Sequence, residues 1–365
     1  MLADRIARVR TRMDEVGVDV LLLSLGADLP WLTGYTAMPL ERLTMLVLPK
    51  DGDVTLVVPR LEAPRVEPRP EFSIAPWDET DDPVALVAKL CGPAGTAAIG
   101  DRTWARFLVD LQSALPGVRA WRKASDVTAP LRAVKDAAEV ESLRAASAAA
   151  DRVARQLFAG EIPLVGRTEH EVSRDIGRRL VAEGHAHVNF AIVAAGANAA
   201  SPHHEPGPRV IERGEVVLCD FGGTMPDGYC SDITRCVWTG DEPPPEVRDV
   251  YAVLQDAQAA AVAGAVVGTP CQDVDAIARE RIADAGWGDR FIHRTGHGIG
   301  LEEHEDPYLV SGNGTSLVAG HAFSIEPGIY VDGRWGFRIE DIVVASDAGP
   351  DPLNLVPHDL VVVDA

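Results

Sequence analysis

Four acidic residues stand where apolar strand residues would be expected. Asp220 follows VVLC and precedes FGG, Asp232 comes twelve residues later in SDITR, Glu326 sits in SIEPG and Glu340 in RIED. Burying an unpaired carboxylate is costly. Each acid alone has an ordinary explanation, as a strand end facing water or a partner of Arg235 or Arg338. Four in one stretch of chain, with a histidine-rich segment nearby, point to shared chemistry. That segment, HRTGHGIGLEEHE over 293–305, sets His293, His297 and His304 among Gly296, Gly298 and Gly300. A helical zinc pair at i,i+4 does not fit: each glycine would cost a helix roughly 1 kcal/mol, and no glutamate directly follows His293 to act as base. The stretch reads instead as an extended loop or strand edge whose glycines permit close approach.

Four carboxylates and a neutral imidazole such as His297 carry a charge of −4, which two divalent cations cancel. Oxygen-rich ligation with a single nitrogen suits Mn²⁺, Co²⁺ or Zn²⁺ and is unlike a structural zinc site, which would use thiolates. Two close cations sharing a water lower its pKa from 15.7 towards roughly 7. The five cysteines are odd in number, form no CxxC pair, and read as reduced, buried thiols.

The elements that must hold these groups fall into two regions. The first ~125 residues alternate helix-like and strand-like segments. Leu2 to Val16 is spaced as an amphipathic helix, and VDVLLLS (18–24), LTMLVLP (43–49) and VTLVVP (54–59) are short strands, with Asp51-Gly52 marking a hairpin. Thr103 to Leu115 is a further expected helix. Pro130 is expected to interrupt the chain before a long alanine-rich helix ending near Phe158. Thr168 and Glu171 fit a capping box at the head of a helix running towards Gly184, and two more helices are expected at about 246–266 and 273–285. Strand-like pieces separate and follow them. GGTMPDG reads as a turn, which would set Asp220 and Asp232 opposite each other on a hairpin.

With 365 residues, two domains are the first expectation. Lys+Arg of 34 against Asp+Glu of 55 gives −21, a surface that repels nucleic acid and anionic membranes. No apolar run reaches the ~18 residues of a transmembrane helix, and the charged N-terminal segment is unlike a signal peptide, so the expected location is cytoplasmic.

The ordered motifs DFGGTMPDGYCSDITR, HRTGHGIGLEEHE, FSIEPGIY and FRIEDIV resemble those of the creatinase/aminopeptidase P/prolidase group, the M24 metallopeptidases of pita-bread fold. The resemblance implies an α/β creatinase-like N-terminal domain over 1–128. It implies an α+β pita-bread catalytic domain over 129–365 with a curved, mainly antiparallel sheet. Carried over residue by residue, it makes Asp220 a ligand of one metal, His297 and Glu326 ligands of the other, and Asp232 and Glu340 bridges between them. His203, in SPHHEPG, falls where the family histidine contacts substrate near the scissile amide, with His204 as the alternative member of the pair. His304 falls where the carbonyl is polarised and the oxyanion supported, and Glu326 where a proton is shuttled. His293 matches a position lining the proline pocket, Arg338 belongs to the substrate side, and His321 reads as a surface or core-packing residue.

The activity implied is metal-dependent exopeptidase cleavage of Xaa-Pro bonds, with two divalent ions (Mn²⁺ first), proline-containing dipeptides or short peptides as substrates, and a homodimeric assembly. An Xaa-Pro bond has no N–H, which handicaps proteases that dock substrate backbone as a strand. A complete ligand set is unlike the metal-independent creatinases. The N-terminal domain is unlike methionine aminopeptidases, and intact ligands without basic insertions are unlike non-enzymatic binding relatives. The short, two-domain chain resembles bacterial prolidases, which implies an Xaa-Pro dipeptidase, with an Xaa-Pro aminopeptidase acting on longer peptides as the alternative. Many prolidases carry an arginine soon after the HE dyad to grip the dipeptide carboxylate, whereas here Tyr308 follows the proline and no arginine precedes Glu326. Shallow discrimination of substrate length is therefore expected.

Overall fold

The computed structural model describes residues 2–363, and the chain divides after Arg132 into two compact units. In the first, a six-stranded mixed sheet has the order β4-β3-β2-β1-β5-β6. Its strands are β1 (Val20–Leu23), β2 (Met45–Pro49), β3 (Thr55–Pro59), β4 (Ser73–Trp77), β5 (Thr96–Ile99) and β6 (Ala120–Lys123). β2 and β3 pair antiparallel across the expected hairpin, while β1 pairs parallel with β5. Helices α1 (Leu2–Val16), α2 (Asp28–Thr33), α3 (Pro83–Cys91), α4 (Ala105–Ala114) and α5 (Ser125–Ala133) accompany it. α1 buries Ile6, Val9 and Met13, the i, i+3, i+7 stripe that its sequence spacing predicts.

Pro130 does not break the chain. It lies inside α5, and the interruption comes at residues 134–136. There Val134 is diverted into a bridge with His321, and Asp136 opens α6 (Ala137–Phe158) with a capping box, its side chain accepting from the Ala138 and Glu139 amides. The cap sets the start of the long helix more strongly than the proline, and the expected division at 128/129 falls within α5.

The second unit adds α7 (Glu169–Ala182), capped by Thr168 and Glu171 as expected, α8 (Pro245–Gly264) and α9 (Cys271–Asp284). One sheet contains β7 (His187–Ala195), β8 (Val216–Thr224), β9 (Ile233–Thr239) and, parallel to β9, a strand at Val361–Val363. A second contains β10 (Gly296–Gly298), β11 (Glu305–Leu309), β12 (Ala322–Ile325), β15 (Asp341–Ser346) and β16 (Gly349–Pro352) in the order β11-β10-β12-β15-β16. Between β12 and β15 runs the hairpin of β13 (Gly328–Val331) and β14 (Trp335–Arg338). Apart from Val361–Val363, the strand pairs of this unit are antiparallel among the described residues.

The period of two along β8 decides where its acid points. Val217, Cys219 and Phe221 pack with α6 and α7, whereas Val216 and Leu218 join the core formed by α8, α9 and the second sheet. Asp220 shares the face of Leu218, and on β9 the same face carries Cys236 and Trp238. The register pairs Asp220 with Thr234, so Asp232 lies diagonally from Asp220, two residues along, and not directly opposite as the turn suggests. The displacement is even, which leaves both carboxylates on one face. All five cysteines are free and buried, and no described helix is long and apolar enough to cross a membrane.

Candidate metal centre

His297 is the middle residue of β10, and its glycine neighbours set how closely that strand packs. A Cβ on Gly296 would collide with the Ser324 carbonyl oxygen, and one on Gly298 with the Asp306 carbonyl. The backbone that carries the imidazole is therefore held hard against β12 on one side and β11 on the other. Its Nδ1 lies 3.1 Å from the Gly298 carbonyl oxygen. A carbonyl only accepts, so Nδ1 carries a proton and Nε2 is the nitrogen turned towards the acids. Nε2 lies 3.2 Å from Glu326 Oε1 and 3.8 Å from Asp232 Oδ2.

Glu326 immediately follows β12, where Ser324 Oγ donates to its Oε1 at 3.1 Å while accepting from the His297 amide at 3.0 Å. Glu340 immediately precedes β15 and forms a bridge with Thr234, whose hydroxyl donates to Glu340 Oε2 at 2.6 Å. Thr234 thus joins the two sheets at the acids. Asp232, His297 and Glu340 each present one ligand atom within 4.8 Å of the others, and all three are buried.

Arg338, at the end of β14, inserts a buried cation beside them. Nη2 donates to Asp220 Oδ2 at 2.5 Å, Nη1 to the Tyr330 hydroxyl at 2.9 Å and the Pro202 carbonyl at 3.3 Å, and Nε to Thr234 Oγ1 at 3.0 Å. This one charge cannot balance four carboxylates. Burial raises Asp220, Asp232 and Glu340 above the ordinary carboxyl range, and repulsion from neighbouring acids adds to the rise. Burial acts the same way on Glu326, but the hydrogen bond and charge of His297 outweigh it and bring that carboxyl to about 2. Asp220 Oδ1 and Asp232 Oδ1 are buried without any hydrogen-bond partner. Orphaned carboxylate oxygens, crowded like charges and an imidazole nitrogen facing them form a donor set that fits hard or borderline divalent cations.

The nine residues singled out from sequence, His203, Asp220, Asp232, His293, His297, His304, Glu326, Arg338 and Glu340, all line one cavity of about 530 Å³. His304 lies against His297 with ring centroids 3.9 Å apart and planes tilted by 46°, and burial, together with the charges of His297 and Arg294, lowers its pKa to about 4. His293 Nε2 lies 2.9 Å from the Tyr330 hydroxyl, and its ring stands edge-on to Phe291. His204 points away, to Glu169 at 2.8 Å, and His321 is buried in packing. Phe190, Ile192, Pro202, Arg294 and Glu303 also line the cavity, and the motifs did not single them out. Arg294 lies with its guanidinium 4.6 Å from the centre of the Tyr308 ring and Nη2 3.4 Å from His304 Nδ1.

An acidic, histidine-bearing floor beneath a cavity large enough for a small peptide is the equipment of a metal-dependent hydrolase. Residues 141–347 match the model of Metallopeptidase family M24, and residues 5–134 match that of the Creatinase/Prolidase N-terminal domain, so the chain belongs to the M24 metallopeptidase family. It is 45% identical to the dipeptidase PepE of Mycobacterium ulcerans, with a TM-score of 0.91 over 100% of this chain and 98% of that one. A recombinant prolidase from Thermococcus sibiricus superposes with a TM-score of 0.92 at 35% identity, covering 100% and 99% of the two chains. An Xaa-Pro dipeptidase of Lactobacillus delbrueckii subsp. lactis is 34% identical over 98% of each chain.

Proposed function

We propose that the protein is an Xaa-Pro dipeptidase working with two divalent cations, Mn²⁺ before Co²⁺ or Zn²⁺. The observation that carries the dipeptide preference is Arg294. Its guanidinium lines the cavity on two uncharged partners, the Tyr308 ring and the His304 imidazole, and among the described residues no carboxylate lies within ion-pair reach of it. The second cavity arginine, Arg338, is committed to Asp220. Arg294 is thus the cation available to the free carboxylate of a dipeptide. Tyr308 stands where the motif of many prolidases has its arginine, and in this fold it serves as the platform for one.

Bound cations would polarise the scissile carbonyl and ease deprotonation of the attacking water, with Asp220, Asp232, His297, Glu326 and Glu340 as the residues to hold them. Glu326 takes the proton of that water as the new oxygen–carbon bond forms and delivers it to the proline nitrogen as the carbon–nitrogen bond breaks. Arg294 donates to His304 Nδ1, which leaves the His304 Nε2–H as a donor towards the carbonyl oxygen as negative charge develops there. His203 meets substrate beside the scissile amide, and His293 walls the proline side. Arg338, expected on the substrate side, balances and holds Asp220 in this reading.

Steady-state kinetics of Mn²⁺-loaded protein on Ala-Pro, Ala-Pro-NH₂ and Ala-Pro-Ala test the reading. A charge-assisted contact contributes about 1.5–3 kcal/mol, so Ala-Pro should lead by roughly ten- to a hundredfold in kcat/KM. Equal or better turnover of Ala-Pro-Ala would make the enzyme an Xaa-Pro aminopeptidase, and no hydrolysis of any of the three would remove the peptidase assignment. The reading takes the enzyme to be a cytoplasmic homodimer, which light scattering on purified protein and cell fractionation check.

A further inference from the structure

Glu169 has a fully buried side chain at the first position of α7, between the two residues of the capping box. A carboxylate in that position needs donors, and the end of β7 with the segment following it supplies them. Oε1 accepts from the Ala195 amide at 2.9 Å and Asn198 Nδ2 at 2.9 Å. Oε2 accepts from His204 at 2.8 Å, from Asn198 Nδ2 at 3.1 Å and from the Gly207 amide at 3.3 Å. Because the carboxylate only accepts, His204 Nε2 carries the proton in this contact. The backbone of α7 reinforces the attachment, with the Glu169 amide donating to the Arg209 carbonyl at 3.0 Å and the His170 amide to the Gly207 carbonyl at 3.1 Å. Residues 195–209 are therefore wrapped around one buried anion.

His203 sits between two anchored neighbours. On one side the Pro202 carbonyl accepts from Arg338, and on the other the His204 ring is fixed to Glu169. His203 itself is exposed and lines the cavity. We infer that Glu169 and His204 form a positioning pair that holds His203 in register with the substrate's scissile amide. An exposed histidine on a loop without regular structure would otherwise sample several rotamers, and a displacement of about 1 Å at a reacting centre can cost on the order of a hundredfold in rate. The pair touches neither substrate nor the candidate ligands and acts through its neighbour.

The inference rests on the peptidase reading, and a double-mutant cycle combined with hydrogen exchange separates the two. His204→Ala is expected to lower kcat for Ala-Pro by about ten- to a hundredfold with KM changed less than threefold and metal content unchanged. His204→Gln, whose amide nitrogen reaches the place of Nε2, should recover most of that loss. In a His203→Ala background, His204→Ala should cost nothing further, because the residue it positions is gone. Hydrogen exchange over 196–207 should accelerate in His204→Ala and in Glu169→Gln while α8 and α9 keep their protection. Additive losses in the cycle, no recovery in His204→Gln, or unchanged exchange over 196–207 would each overturn the pair. If wild-type protein cleaves no Xaa-Pro peptide, the functional reading fails, and the exchange data still decide whether Glu169 and His204 hold the loop.

Discussion

His297 and His304 lie in contact with their ring centroids 3.9 Å apart, yet they face different chemistry: His297 Nε2 approaches Glu326 and Asp232, while His304 Nδ1 approaches Arg294. Contact between two imidazoles does not make both of them ligands. His304→Ala should lower kcat by about 10²- to 10³-fold, the usual loss for one oxyanion donor, and leave metal content nearly intact. His297→Ala should lose metal. Elemental analysis of both variants beside their kinetics checks the assignment, and equal metal loss would reverse it.

Removal of metal is the second test. The partnerless Oδ1 atoms of Asp220 and Asp232 and the repulsion among the buried acids predict that chelator-treated protein is inactive and less heat-stable. Mn²⁺ or Co²⁺ should restore both properties. Asp232→Asn keeps the shape of the side chain but removes the charge, and should bind less metal with activity down by at least tenfold. Two ions and full activity in that variant would remove Asp232 from the ligand set.

Arg294→Ala should lower kcat/KM for Ala-Pro by roughly ten- to a hundredfold, with the preference over Ala-Pro-NH₂ shrinking by the same factor. Arg294→Lys should recover little, since a lysine cannot match the planar fork or stack on Tyr308. Were the arginine reading an acidic Xaa side chain, the loss would appear for Asp-Pro relative to Ala-Pro and amide discrimination would stay as it was.

His321 gives a pH test away from the ligands. Burial, helped by the charge of Lys135, lowers its pKa to about 4 from an ordinary value of 6.5. The unfolded chain therefore binds the proton more readily than the folded one. The stability contributed by the neutral ring is complete above pH 6.5 and is lost as the pH falls from there through 4. Melting of metal-free protein at pH 7 and pH 4.5, wild type against His321→Asn, isolates the effect from the carboxylates common to both. The wild type should lose more by about 1 kcal/mol after discounting for screening, or roughly 2–4 °C in Tm. Identical losses would mean that the ring is not excluded from water as its packing indicates.

The acids of the site were legible because a carboxylate among apolar strand residues contradicts its surroundings, and the glycines around His297 announced a strand packed too closely for side chains. What stayed hidden depends on pairing. Arg294 and Tyr308 lie 14 residues apart and meet because β10 and β11 run antiparallel, with Gly296 opposite Leu309. A search of the residues after the HE dyad could not find a cation that arrives from the segment leading into the neighbouring strand. Glu169 escaped for a different reason: an acid in the first turn of a helix is common and favourable there, so nothing local marked it as the anchor of a loop. Pro130 misled because a proline is strong local punctuation, and the cap at Asp136 outweighed it.

The bridge between Thr234 and Glu340 joins positions 106 residues apart. Chain entropy opposes the closure of so long a loop by roughly 4 kcal/mol plus a constant, and contacts of such separation form slowly. The ligand cage exists only once both sheets have formed and docked, and a half-folded chain offers a divalent ion no more than scattered carboxylates. Metal capture therefore dates the end of folding. In refolding experiments the recovery of tryptophan fluorescence should run ahead of the recovery of metal uptake, and never behind it.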